Sequence, residues 1–214
     1  MKEPLMENRH TADSCVTAVS PPDSLAELRT LQSRALEALQ CSCAMTDFTD
    51  RGSIHPFREQ LQAVRDLLRD CFALESRHLY PLIDRVAPQS FELPRDRQLV
   101  QAQMNTLWDR LECIYGHAQR CNPAWRAVLD AEGRAFSRAL TVSVYVYLVH
   151  LECQHAATTA VSLRCGCGAL PALERQLHGA LLALKETHRP LIDTFVCDGD
   201  VMPKYFPVPD FAAV

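Results

Sequence analysis

The stretch Cys71-Phe-Ala-Leu-Glu-Ser-Arg-His-Leu-Tyr-Pro81 (CFALESRHLYP) places a carboxylate among apolar residues. At about 100° per residue, the apolar face of the helix predicted here is formed by Leu61, Val64, Leu68, Cys71, Phe72, Leu79 and Leu82. Glu75 falls near the centre of that face, one turn after Cys71 and nearly one turn before His78. Since burying a lone carboxylate is costly, Glu75 is expected to be paired, protonated or bound to a metal ion.

The chain around this stretch is predicted to be helical. It has 214 residues, only seven glycines, and few β-branched residues outside one short run. A first helix is predicted from Asp23 or Ser24, with Glu27 completing a capping box, to about Cys43. The other predicted helices run from His55-Pro56 to about Val86, from about Arg95 to Arg120, from about Asp130 to Arg164, and from about Pro171 to Phe195.

The run TVSVYVY (141–147) alternates as a β-strand would. Its flanks, AEGRAFSRAL and LECQHAATTAVSLR, are helical in composition and contain no turn residue next to the run, so we predict a helix here too. The expected fold is all-α: an up-down-up-down four-helix bundle (22–165), preceded by a mobile tail (1–21) and followed by an additional C-terminal helix and tail (166–214).

Charge and hydropathy exclude several classes of partner. The formal net charge of -4 gives no general attraction to nucleic acid or to an anionic membrane. The longest apolar run, Ala139 to Leu151, is shorter than the ~20 residues that span a bilayer. MKEPLMENRHTADSC has no apolar core of a signal peptide, so a cytoplasmic protein is expected.

Ten cysteines are therefore expected to be reduced thiols, several of them buried. The pairs Cys41/Cys43 and Cys165/Cys167 could take Zn²⁺ or Cu⁺, but neither has the spacing of a zinc ribbon, and cysteines at helix ends are the preferred interpretation.

The predicted fourth helix contains a second polar cluster, VHLECQH (149–155), with His150, Glu152, Gln154 and His155 in an otherwise apolar segment. The two Glu-x-x-His patterns, at 75/78 and 152/155, are those that ferritin-like di-iron bundles place on two helices. Such bundles need a further Glu on each of the other two helices. The candidates Glu27, Glu37 and Glu112 lie about 100° or more from the apolar stripes, which contain Gln32 and Met104 instead.

Glu75-Ser-Arg-His-Leu-Tyr-Pro-Leu resembles the end of the second helix of hemerythrin-like domains, His-x-x-x-Glu-Glu-x-x-Leu-Tyr/Phe-Pro-Leu. Tyr147-Leu-Val-His150-Leu-Glu-Cys-Gln154 resembles their fourth helix, and the resemblance covers roughly residues 24–165. It implies that Glu75 stands at the bridging carboxylate and His150 at a histidine ligand.

The same resemblance puts Cys71 at a histidine position and Gln154 at a carboxylate position. It also puts Gln32 and Met104 at about the depth of the histidines of the first and third helices. Gln and Met are poor iron ligands, so a normal di-iron centre is not expected.

The metal candidates form one set: Glu75, His78, His150, Cys71, Gln154 and His155. The cofactor would be iron or zinc, one ion in preference to two, or none. No phosphate loop or nucleophile motif can be placed, so a sensing or binding role is preferred to catalysis.

We keep three alternatives open: a metal, redox or small-molecule sensing protein; a ferritin-like di-iron oxidase or oxygenase; and a metal-free protein-interaction module. The partner would be a small molecule or a protein, including a second copy in a homodimer.

Overall fold

The computed structural model describes residues 23–86, 93–118, 123–164 and 169–196. These residues form helices and no strand, which confirms the all-α class for the described part of the chain. The helices are α1 (Asp23–Met45), α2 (Arg51–His78), α3 (Tyr80–Val86), α4 (Leu93–Ala118), α5 (Pro123–Arg164), α6 (Ala169–Thr187) and α7 (Arg189–Val196). The predicted tail (1–21), the predicted end of the third helix at Arg120, and the pair Cys165/Cys167 lie outside the described residues.

α2 begins four residues earlier than predicted. Asp50 is its N-cap and accepts hydrogen bonds from the backbone N–H groups of Gly52 and Ser53, so two of the unpaired amides of the first turn are satisfied. Pro56 therefore lies inside the helix and not at its first position.

α2 also ends earlier than predicted, because Pro81 interrupts it. A proline has no N–H to donate to the carbonyl four residues before it, and its ring crowds that carbonyl. The helix ends at His78, Leu79 donates its N–H to the Glu75 carbonyl at 2.8 Å, and α3 starts at Tyr80. The break sets Tyr80 beside Glu75.

The strand-like run 141–147 lies within α5, so the prediction of helix there is confirmed. α5 starts at Pro123 and not near Asp130, with proline at its first position, where no N–H is required. The predicted fifth helix is two helices, α6 and α7, separated at His188, because Pro190 has no N–H to donate to the carbonyl four residues before it.

α1, α2, α4 and α5 form a closed order of neighbours: α1 contacts α2 and α5, and α4 contacts the same two helices. α6 packs on α1 and α2, so the C-terminal helices cover one side of this core. The predicted capping box of α1 is wrong. Ser24 donates from its N–H and its hydroxyl to Glu174 of α6, at 3.2 and 2.5 Å, while Glu27 contacts Lys185.

Within the described ranges, no helix combines the length and the apolar character that crossing a membrane requires.

One end of the core is closed by three phenylalanine rings. Phe48, in the connection before α2, lies with its ring centroid 6.0 Å from that of Phe57 and 5.5 Å from that of Phe136. Gly133 on α5 lets this connection approach closely, because a Cβ there would lie 2.5 Å from the Cβ of Phe48.

We expect Gly133→Ala to lower the free energy of unfolding by about 1–3 kcal/mol, because the added methyl group collides with the base of the Phe48 side chain. Gly116→Ala on α4 is the matched control. It meets nothing within 4 Å and should raise stability by about 0.5–1 kcal/mol. Urea denaturation of both variants measures this, and equal stabilisation by the two substitutions would contradict the close approach.

Candidate functional site

The carboxylate of Glu75 is completely buried and receives hydrogen bonds from two other helices. The amide Nε2 of Gln32 on α1 donates to Glu75 Oε1 at 2.7 Å. The hydroxyl of Tyr80 on α3 donates to Oε2 at 3.1 Å. Both oxygens of the carboxylate are therefore partnered by neutral donors.

A cation also lies beside the carboxylate. Arg97 of α4 is fully buried, and its Nε lies 3.7 Å from Glu75 Oε2. Its Nη2 donates to the carbonyl oxygen of Leu68 at 3.0 Å. The guanidinium lies over the ring of Tyr147, 4.1 Å from the centroid, and 5.6 Å from the centroid of Phe72. The buried acid is thus part of an ion pair whose positive partner also makes cation–π contacts.

His150 of α5 completes the polar core. It is buried, its ring lies 6.4 Å from that of Tyr147, and neither ring nitrogen has a hydrogen-bond partner among the described residues. Burial lowers the pKa of His150, and the positive charge of Arg97 lowers it further, against the opposing effect of Glu75. His150 is therefore a neutral imidazole at pH 7.

Two groups that could act as nucleophiles or bases are held in their protonated forms. Burial, together with the charge of Glu75, raises the pKa of Cys71 to about 12. Burial and the same carboxylate raise the pKa of Tyr80 as well. A neutral thiol and a neutral phenol hydrogen-bond but do not attack, so the core carries no activated nucleophile of either kind.

The structure brings together four of the residues that the sequence singled out. Glu75, His150, Gln154 and Cys71 are all buried. Gln32, which the sequence placed in the apolar stripe of the first helix, is buried as well.

The other candidates lie further out. His78 and His155 are only half-buried. The side chain of Glu152 is 73% exposed and lies 4.0 Å from Arg29. A ferritin-like centre requires Glu152 inside the core, and the structure does not meet that condition. Cys41 is exposed and Cys43 is buried against Ser137, so this pair does not converge on one site either.

The residues of the core do not fit a resident metal ion. Among the residues that the structure describes, no three His, Cys, Asp or Glu side chains are grouped so as to hold one. The positive charge that a metal would bring is already supplied by Arg97 next to Glu75. Two cations sharing one carboxylate in a buried site would repel each other strongly.

Arg97 is the residue that sequence reasoning missed. The signal was present, since Arg97 continues the apolar stripe of α4 that also contains Leu93, Val100 and Met104. The prediction from sequence starts this helix at about Arg95 and assigns no role to position 97. α4 in fact begins at Leu93, so Arg97 lies more than one turn inside it.

Comparison with models of protein families, with curated proteins and with solved structures finds no match to this chain.

We expect Glu75→Gln or Arg97→Met to cost about 3–5 kcal/mol of unfolding free energy, because each leaves the other charge buried alone. The double variant should lose about 1–3 kcal/mol less than the sum of the single losses. Urea denaturation of the four proteins measures this coupling.

The matched control for that cycle is the half-buried pair Arg58 and Glu112. Its coupling, from Arg58→Met and Glu112→Gln, should stay below ~1 kcal/mol because solvent screens partly exposed charges. Equal coupling in the two cycles would contradict the special role of the buried pair.

The lowered pKa of His150 makes a prediction about acid stability. Below pH ~6.5 this histidine is protonated in the unfolded chain but stays neutral in the folded chain. The free energy of unfolding therefore decreases as the pH falls below that value, by at most ~1.4 kcal/mol per pH unit. Denaturation of wild type and His150→Gln at pH 7.5 and 5.5 measures this. The variant should lose less stability between the two values, and an unchanged loss would contradict the assignment.

Proposed function

We propose that this chain is a hemerythrin-like, up-down-up-down four-helix bundle that works without a resident metal, as a protein-interaction module. The closed order of contacts among α1, α2, α4 and α5 supports the bundle arrangement. The Glu75 and His150 positions, which the sequence resemblance aligns with metal ligands, both face the same buried core.

The observation that carries this proposal is the guanidinium of Arg97. A carboxylate in a bundle core needs a positive partner, and in this chain that partner is a side chain of α4. The remaining lone pairs of Glu75 are satisfied by Gln32 and Tyr80. The core centre is thus balanced in charge by the chain itself.

This centre is also enclosed. Glu75 and Arg97 each have 0% of their surface exposed, and the rings of Tyr147 and Phe72 lie over the guanidinium. A group so enclosed stabilises and orders helices but does not meet a substrate. The function is therefore assigned to the surface, where α5 exposes a run of apolar side chains that includes Val142, Val146 and Val149.

Elemental analysis of protein purified without chelator or metal-affinity tag tests the proposal. We expect no stoichiometric iron or zinc in wild type, in Glu75→Ala, or in the exposed control Glu152→Ala. We also expect the helical circular dichroism of wild type to be unchanged by a chelator, because Arg97 and not a metal balances Glu75.

One or two metal ions per chain in wild type and in Glu152→Ala, lost in Glu75→Ala, would overturn the proposal. That result would mean that Glu75 and His150 recruit a metal in spite of the neighbouring guanidinium.

A further inference from the structure

The outer face of α5 is a continuous apolar stripe. Residues that fall within about 100° of one another on this helix, on the side opposite the core residues Leu140, Val144 and Tyr147, define it. The α5 stripe consists of Val128, Ala131, Ala135, Arg138, Val142, Tyr145, Val146, Val149, Cys153, Ala156, Ala160 and Leu163. Two charged side chains fall in this arc, Arg138 within the stripe and Arg164 at the C-terminal end of α5.

The α5 stripe is open to solvent in the single chain. Val142 is 49% exposed, Tyr145 44%, Val149 44% and Leu163 74%. A helix that is apolar on two opposite faces is normally covered on both. The inner face of α5 packs on α1, α3 and α4, whereas α6 and α7 cover α1 and α2. The apolar character of the outer face therefore calls for a protein partner.

The pattern of residues along the α5 stripe indicates what that partner is. The stripe reads nearly the same in both directions about a midpoint between Tyr145 and Val146. The positions that correspond are 128 with 163 (Val and Leu), 131 with 160 (Ala and Ala), 135 with 156 (Ala and Ala), 138 with 153 (Arg and Cys), and 142 with 149 (Val and Val). With the central pair, Tyr145 and Val146, there are six such pairs, and in four of them an alanine faces an alanine or a branched residue faces a branched one. An antiparallel contact with a second copy about this midpoint forms each of these pairings twice.

The charges agree with the same symmetry. In an antiparallel pair with this midpoint, Arg138 of one copy faces the turn of the other that carries Glu152 and Cys153. The carboxylate of Glu152 is 73% exposed, and its ion pair with Arg29 is long, at 4.0 Å, so it can turn towards a second guanidinium. Because of the two-fold symmetry, the ion pair between Arg138 of one copy and Glu152 of the other forms at two places in the contact. A parallel pair would instead set Arg138 against Arg138.

We propose that α5 is the contact surface of a homodimer, in which two copies pack their α5 stripes antiparallel about a two-fold axis at Tyr145 and Val146. This inference rests on the proposed role as a protein-interaction module and names its partner as a second copy of this chain.

The α5 stripe alone supplies somewhat more than half of the area of a standard interface. The α5 stripe spans 35 residue steps, about 50 Å at ~1.5 Å per residue, and with a width of ~10 Å it offers roughly 500 Å² per chain. A standard interface buries about 800 Å² per partner, so the polar side chains flanking the stripe, Glu152 among them, contribute the rest.

Sedimentation velocity of the full chain over a range of concentrations is the first test. Wild type should be a dimer, and Val142→Asp or Val149→Asp should weaken it at least roughly tenfold, since each places two like charges in the apolar contact. Leu99→Asp on α4 is the control. Leu99 is 58% exposed and lies off the stripe, so this variant should remain dimeric.

Cross-linking tests the register. In oxidised Arg138→Cys, the new thiol should form a disulfide with Cys153 of the second copy, identified by peptide mass and lost on reduction. Within one chain these positions lie about 22 Å apart along a helix, beyond the ~7 Å limit for a disulfide, so the linked peptide must join two copies. Arg126→Cys, three turns earlier and off the stripe, should give no such linkage.

A monomeric wild type, or a dimer that Val149→Asp leaves intact, would overturn the inference. A dimer cross-linked through Cys153 to Cys153 would replace the antiparallel register with a parallel one and would overturn it equally. None of these results bears on the elemental analysis. A dimeric protein that binds metal would refute the proposed metal-free function while leaving the α5 contact in place.

Discussion

The buried ion pair of Glu75 and Arg97 is the constraint on which the rest of the core depends. Each charge would be prohibitively costly alone in this interior, so the helices that carry them, α2 and α4, must meet at this depth and in this register. α1 contributes the Gln32 amide, α3 the Tyr80 hydroxyl and α5 the aromatic face of Tyr147. Five helices thus converge on one carboxylate and one guanidinium. A shift of one turn along α2 or α4 would separate the two charges and leave each of them buried without its partner.

α5 carries apolar side chains on two opposite faces. Its inner face combines core residues such as Leu140, Val144 and Tyr147 with the buried polar side chains of His150 and Gln154, while its outer face carries mainly valines and alanines. In most helices of globular proteins the face opposite the core is charged or polar. Among the described helices, only the inner face of α5 packs against the rest of the fold.

Much of the architecture was predictable from the sequence, and the failures have common physical causes. The helical state of TVSVYVY followed from its flanks, because a short strand pattern cannot interrupt a long helix without turn residues. The breaks at Pro81 and Pro190 were missed, since the apolar periodicity continues through both prolines. The burial of Glu75 was predicted from helix geometry and is confirmed. Its partner Arg97 was missed because the start of α4 was misplaced by two residues, and charged residues near helix starts are usually solvated.

The contact between Ser24 and Glu174 joins the first helix to the sixth across 150 residues. A helix start needs acceptors for its free N–H groups, and α1 takes one from α6. During synthesis on the ribosome, the chain emerges from its N-terminus, at about 5–20 residues per second. The Glu174 acceptor on α6 is therefore synthesised roughly ten seconds or more after α1. All four helices of the core, α1, α2, α4 and α5, are synthesised before it. A helix made about 150 residues later thus completes the cap of α1, so this contact can stabilise the nascent chain only once α6 has left the ribosome.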